Sequence, residues 1–260
     1  MDYRSQEEKL FSRWIKRAQK LHDGQEIAKD GILYRGELWF DGYGQVHRPG
    51  TESENWNQSR LRLLVLTKEV YDEDCWDIRS ESGRVPSPHL DNGKTAKYFF
   101  PNLELWAYGL MNTSDRRILS FDKADNQPKL QQFYETAPIA RVNCKKQIDS
   151  RAASNAVIQK YMKNYADLLV EQINMYHANI ILCCGGQGII VSFLQEYFLK
   201  DLVEVNAHCY YSEEANVVVV KSFYPAYYVY SRKEMYTNMM RDYQSFLKTH
   251  PQFPGNPEQA

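Results

Sequence analysis

Four stretches of this 260-residue chain place polar or glycine residues directly after a short apolar run. Residues 61–66 (LRLLVL) lead into Thr67-Lys68-Glu69, and residues 137–142 (APIARV) lead into Asn143-Cys144-Lys145-Lys146. Residues 179–184 (NIILCC) lead into Gly185-Gly186, and 216–220 (NVVVV) into Lys221-Ser222-Phe223-Tyr224-Pro225-Ala226. Runs of this length and composition read as strands buried on both faces of a parallel sheet. In open α/β sheets ligands sit just beyond the carboxyl ends of the strands. The Lys68 ammonium and the Glu69 carboxylate therefore stand where chemistry usually happens. Glycines between a strand end and a helix start, as at Gly185 and Gly186, let backbone N–H groups approach a ligand closely, often an anion.

The elements that must position these groups alternate along the chain. Helical spacing of apolar residues predicts helices over 5–21, 102–111, 154–177, 189–199 and 231–248. Ser231 with Glu234 makes a capping box for the last of them. Strands alternating with helices predict a three-layer α/β/α fold around a central four-stranded parallel sheet with right-handed crossovers. Residues 30–50 read as a hairpin or ordered loop, 72–102 as a long functional loop, and 126–136 as a polar connector. One domain is expected: an N-terminal extension over 1–60, the core over 61–248 and a frayed proline-rich tail over 249–260.

Composition narrows the classes. Net charge is −1, so no global field draws the chain to nucleic acid, and any such contact must rest on a local patch. Nineteen tyrosines suit surfaces with one wet edge, including those that stack bases. The five cysteines form no C-x-x-C pair, which argues against a zinc ribbon or an iron–sulfur cluster and for reduced thiols. His47 and Asp41 are the remaining candidates for a metal, and none is expected. GGQG is not G-x-G-x-x-G and no Walker lysine follows, so no nucleotide cofactor is expected. The N-terminus has no apolar signal region and no stretch reaches membrane-spanning length, which predicts a cytoplasmic protein with no membrane partner.

The order of these pieces resembles the uracil-DNA glycosylase superfamily: an apolar strand ending in an acid-bearing turn, a strand ending in Asn, a long helix, the strand-Gly-helix unit NIILCCGG, and a final strand ending in a His-Pro-Ser-like motif, here Tyr224-Pro225-Ala226. The resemblance spans residues 61–247 and lies in layout more than in identical motifs. It implies a uracil-DNA glycosylase-like fold, DNA as partner, no cofactor, and cleavage of the N-glycosidic bond of a base flipped from the stack. It implies a catalytic role for Glu69; Lys68 and Tyr224, which stand at the family's glycine and histidine positions, are the other catalytic candidates. Glu69 would position water and offset charge on the sugar. Asn143 would read the base edge, since an amide both donates and accepts. Phe99 and Phe100 are open to two readings, rings that stack on a planar base or a plug of the core, with the plug favoured. Lys145, Lys146, Arg232, Lys233 and the Gly185-Gly186 turn would hold the DNA backbone, and Tyr227, Tyr228 or Tyr230 would wedge into the duplex.

The chain also departs from that pattern. Lys68 stands where a glycine would let backbone approach the sugar, and it is open to two readings: an amine nucleophile or a salt-bridge partner of Glu69. Tyr224 replaces the motif histidine; a phenol donates one hydrogen bond but is not a cationic imidazolium. Ala226 replaces the phosphate-binding serine. Two functions compete on these residues: a divergent DNA glycosylase, and a nucleic-acid or nucleobase-binding module that has lost the reaction. A hydrolase of nucleosides or another small ligand is a third.

Overall fold

The amphipathic N-terminal segment forms helix α1 (Tyr3–Leu21), capped by the Asp2 side chain and closed by His22 in the left-handed conformation. Its apolar stripe, Leu10, Phe11, Trp14 and Ala18, is fully buried, so the helix is integral to the core and not an appendage. The computed structural model describes residues 2–23, 26–40, 45–71, 77–81, 95–149 and 153–255. Cys75, Asp41 and most of the long loop expected over 72–102 lie outside them.

After α1 come β1 (Gly31–Ile32), the hairpin β2 (Leu38–Phe40) and β3 (Gln45–His47), and α2 (Glu52–Gln58). The first long strand is β4 (Leu63–Tyr71), followed by α3 (Thr95–Asn112), α4 (Phe121–Ala124), α5 (Gln127–Thr136) and β5 (Ile139–Asp149). Helices α6 (Asn155–Asn164) and α7 (Ala166–Tyr176) lead to β6 (Ile180–Cys184) and α8 (Ile189–Tyr197). The chain ends with β7 (Val203–Glu204), β8 (Cys209–Ser212), β9 (Val217–Ser222) and α9 (Arg232–Thr249).

The central sheet has seven strands in the order β1-β5-β4-β6-β9-β8-β7, where four were expected. The four expected strands are its parallel centre, β5-β4-β6-β9. The additions are antiparallel: β1 on β5 at one edge, and β8 with β7 on β9 at the other. β1 and β7 are two residues each, too short to carry an alternation signal.

Alternation along the strands divides the apolar side chains between two cores. Leu63 and Val65 join α3, α5 and α9 on one face, while Leu64 and Leu66 join α1, α6, α7 and α8 on the other. This is a mixed α/β architecture with helices on both sides of a mostly parallel sheet.

Several local expectations change. The strand ending at 66 runs on to Tyr71, and the one ending at 142 runs to Asp149, because the two extensions pair with each other from Thr67↔Asn143 to Tyr71↔Asp149. The long helix divides at Tyr165, whose ring stacks on Trp14 and on Tyr161. The connector over 126–136 is helix α5, capped by the Asn126 side chain, with Pro128 in its first turn and Leu130 and Tyr134 buried. Helix α3 starts before Pro101, not after it. Burial of Phe99, Phe100, Leu103 and Trp106 outweighs the roughly 3 kcal/mol that an interior proline costs. The tail packs on the core: Phe253 is fully buried and lies edge-on against Phe246, while residues 256–260 lie outside the described residues.

Candidate functional site

The connections leaving β4 and β6 diverge, since β4 leads to β5 on one side and β6 leads to β9 on the other. Between them lies the topological switch point of the sheet, where open α/β folds place their ligands. β6 ends at Cys184, opposite Thr67, while β4 continues four residues further to Tyr71. The extension of β4 therefore stands as a wall above the end of β6, and Lys68 is its first residue.

The chain leaves β6 through four successive left-handed residues: Gly185 (φ 85°), Gly186 (φ 74°), Gln187 (φ 52°) and Gly188 (φ 94°). Only glycine adopts this conformation without cost, and two positions also lack room for a side chain. A Cβ on Gly186 would meet Ile189 Cγ1 at 2.7 Å, and one on Gly185 would meet Tyr224 Cβ at 3.1 Å. The turn delivers the chain to the start of α8, which has no side-chain cap. The Ile189 N–H donates to the Gly186 carbonyl and the Gly185 N–H to the Ser222 carbonyl, so what the turn offers a ligand is the positive end of the helix dipole.

Around this turn opens a cavity of about 470 Å³, lined by Lys68, Asn155, residues 185–188, Lys221, Ser222, Phe223, Tyr224 and Tyr227. Cations and backbone amides form one part of its wall and aromatic rings the other. Lys221 donates to the Tyr210 hydroxyl at 3.3 Å. The rings of Phe223 and Tyr227 stack at 4.7 Å, and the exposed Tyr228, Val229 and Tyr230 continue the loop outward.

Tyr224 sits over a buried ion pair, Glu81 with Arg141. Burial pushes its phenol up to about 12, against the opposing pull of the Arg141 guanidinium and with a smaller push from Glu69. At neutral pH it is therefore a neutral hydrogen-bond donor. Burial likewise raises the Glu81 carboxyl, with Arg141 opposing. The Phe99 ring lies 4.7 Å from the Arg141 guanidinium and 5.7 Å from the Tyr224 ring.

Of the residues singled out from the sequence, Lys68, Tyr224, Gly185, Gly186 and Tyr227 come together at the cavity, and Tyr228 is exposed beside it. The others are placed elsewhere. Glu69 follows Lys68 but points to the opposite face of β4; it is buried, and its carboxylate accepts from the Ala153 N–H at 2.8 Å. Asn143 is fully buried and engaged: its carbonyl accepts from the Thr67 hydroxyl, and its backbone N–H donates to Asp30. Phe99 and Phe100 are core residues supporting Tyr224, not a stacking surface.

The predicted phosphate contacts divide in the same way. Lys146 is fully buried, bonded to Asp30, 4.6 Å from the Trp14 ring, and burial lowers its pKa with Asp30 opposing. Lys145 is buried and donates to the Gln147 carbonyl. Arg232 is spent on Asp125, Asn102 and the Pro101 carbonyl, and Lys233 pairs with Asp122 at the surface. A lysine in a strand extension reads the same in sequence whether its side chain meets solvent or a carboxylate from a distant segment.

Lys221, Ser222, Phe223, Asn155 and Gln187 also line the cavity, although the sequence does not single them out as site residues. Lys221–Phe223 directly follow the apolar run of β9, so the strand-end rule that pointed to Lys68 applies to them as well. Gln187 carries no such signal, since nothing local foretells a left-handed glutamine.

Among the described residues no group of three or more His, Cys, Asp or Glu side chains is placed to hold a metal, and no helix is long and apolar enough to cross a membrane. His47 is held between the Gly36 carbonyl and Glu135. No family model matches the chain, and no curated protein matches it.

Proposed function

We propose that the protein binds nucleic acid by drawing one unstacked nucleotide into the switch-point cavity, in the manner of a uracil-DNA glycosylase-like protein. The observation that carries this reading is the meeting, on one turn, of two kinds of wall. Lys68, Lys221 and the positive end of α8 suit a phosphate, and Phe223, Tyr224 and Tyr227 suit a planar base. The aromatic loop 227–230 extends from the cavity rim, where a neighbouring base would lie.

Binding without base excision is the better supported form of this reading, because neither Glu69 nor Asn143 lines the cavity. A second form, hydrolysis of the N-glycosidic bond, rests on Glu69 being a buried carboxylate one residue from Lys68, with its charge contributing to the raised Tyr224 phenol. In that form Glu69 would orient water and Tyr224 would donate to the departing base.

The test pairs two measurements on labelled single- and double-stranded oligonucleotides: fluorescence anisotropy for binding, and mass spectrometry for bases released from uracil, hypoxanthine, xanthine and oxidised-base substrates. Binding without release is the expected result. Release that disappears in Glu69→Gln would establish the glycosylase. Absence of both would remove nucleic acid from the account and leave a small-ligand hydrolase.

A further inference from the structure

Lys68 differs from the lysines around it. Lys29, Lys145, Lys146, Lys221 and Lys233 each donate to a carboxylate, carbonyl or hydroxyl group. Among the described residues no acceptor engages the Lys68 ammonium, and its side chain lines the cavity. The salt bridge to Glu69 that the sequence left open does not form, because adjacent strand residues point to opposite faces. The backbone of Lys68 is fixed by ladder pairing of Thr67 to both Asn143 and Cys184, and of Glu69 to Lys145. Its stem runs beside the glycine turn: Lys68 Cδ lies 3.7 Å from where a Cβ on Gly186 would be. An amine that lines an accessible cavity and, among the described residues, is held in no ion pair can meet a carbonyl carbon, the first requirement of a Schiff-base nucleophile.

We infer that Lys68 attacks C1′ of an abasic deoxyribose in DNA and forms an imine with it. This rests on the nucleotide-binding reading above. The unprotonated amine adds to the C1′ aldehyde of the ring-opened sugar; the carbinolamine then loses water to give the imine. Loss of a C2′ proton to water sends an electron pair toward C3′ and expels the 3′ phosphate. Hydrolysis of the imine returns the Lys68 amine and an unsaturated aldehyde on the cleaved strand. No oxidant or reductant is consumed. The Tyr224 phenol lines the same cavity and can donate a proton to the carbinolamine oxygen, and Lys221 with the positive end of α8 can receive the departing phosphate.

The experiment incubates the full chain with an oligonucleotide carrying one aldehydic abasic site in the presence of sodium borohydride, which reduces an imine to a stable amine. Anisotropy on the tetrahydrofuran analogue, which binds but cannot form an imine, runs in parallel. The expected result is a covalent adduct that maps to the Lys68 peptide and falls about tenfold or more in Lys68→Arg, a variant that keeps the charge and removes the nucleophile. Binding of the analogue with no trapped adduct overturns the imine and leaves the binding site standing. An adduct that persists in Lys68→Arg, or maps to the N-terminal amine, also overturns it. Absence of both binding and adduct removes the inference together with the reading it rests on.

Discussion

Lys68, within β4, and Tyr224, just beyond the end of β9, close on the same glycine turn. The Lys68 Cδ lies 3.7 Å from the position of a Cβ on Gly186, and the Tyr224 Cβ lies 3.1 Å from one on Gly185. The absence of two side chains is therefore what lets an amine and a phenol share one cavity. The arrangement needs β4 to outrun β6, since a β4 ending level with Cys184 would not carry Lys68 above the turn.

Replacing either glycine should damage both stability and the site. Gly186→Ala forces an L-residue into φ 74° against Ile189, and the left-handed conformation alone costs about 1–2 kcal/mol. Urea denaturation should report that loss, and anisotropy under conditions where the variant remains folded should show weaker oligonucleotide binding. Unchanged binding would separate the turn from the ligand.

Lys221 should behave as a phosphate contact. On double-stranded DNA, Lys221→Gln should weaken binding across all sequences and reduce the slope of log K against log salt by about 0.9. Lys233→Gln, whose partner is Asp122 at the surface, should leave both affinity and slope in place. The measurement is a salt titration of anisotropy for the three proteins.

Lys146 should act through folding alone. Removing one partner of a buried ion pair costs about 3–5 kcal/mol, and Lys146→Met would leave Asp30 buried opposite a thioether. Gln172 would still donate to that carboxylate. The denaturation midpoint should fall steeply, while affinity per folded molecule stays at the wild-type value.

Glu104 should make stability pH-dependent. Burial, reinforced by the charge of Glu135 and opposed by Arg232, raises its carboxyl from the ordinary 4.5 to about 8. The folded state thus holds a proton that the unfolded state gives up. Its contribution is complete below about pH 4.5 and is lost as pH rises through 8. Glu104→Gln keeps the shape and cannot ionise, so it should flatten stability against pH in that window and leave the variant the more stable protein at its upper end. Thermal unfolding across the range reads the difference; parallel curves for the two proteins would count against a protonated Glu104.

What the sequence by itself determined was the parallel centre of the sheet, the strand-end rule that found Lys68, the glycine turn and Tyr224, and the helices α1, α8 and α9. These are legible because a strand or helix repeats its own burial along the chain: LRLLVL, NIILCC and NVVVV report two covered faces without reference to any partner. What only the tertiary structure decided was which polar groups remain available. Lys146 and Lys68 look alike in sequence, yet Lys146 meets Asp30 from 116 residues away while Lys68 meets a cavity. Asn143 is taken by Thr67 from 76 residues away. The antiparallel edge strands and the overrun of β4 past β6 are likewise set by pairing between distant segments. Burial periodicity is a local property, whereas the partner of a charge is chosen by the fold as a whole.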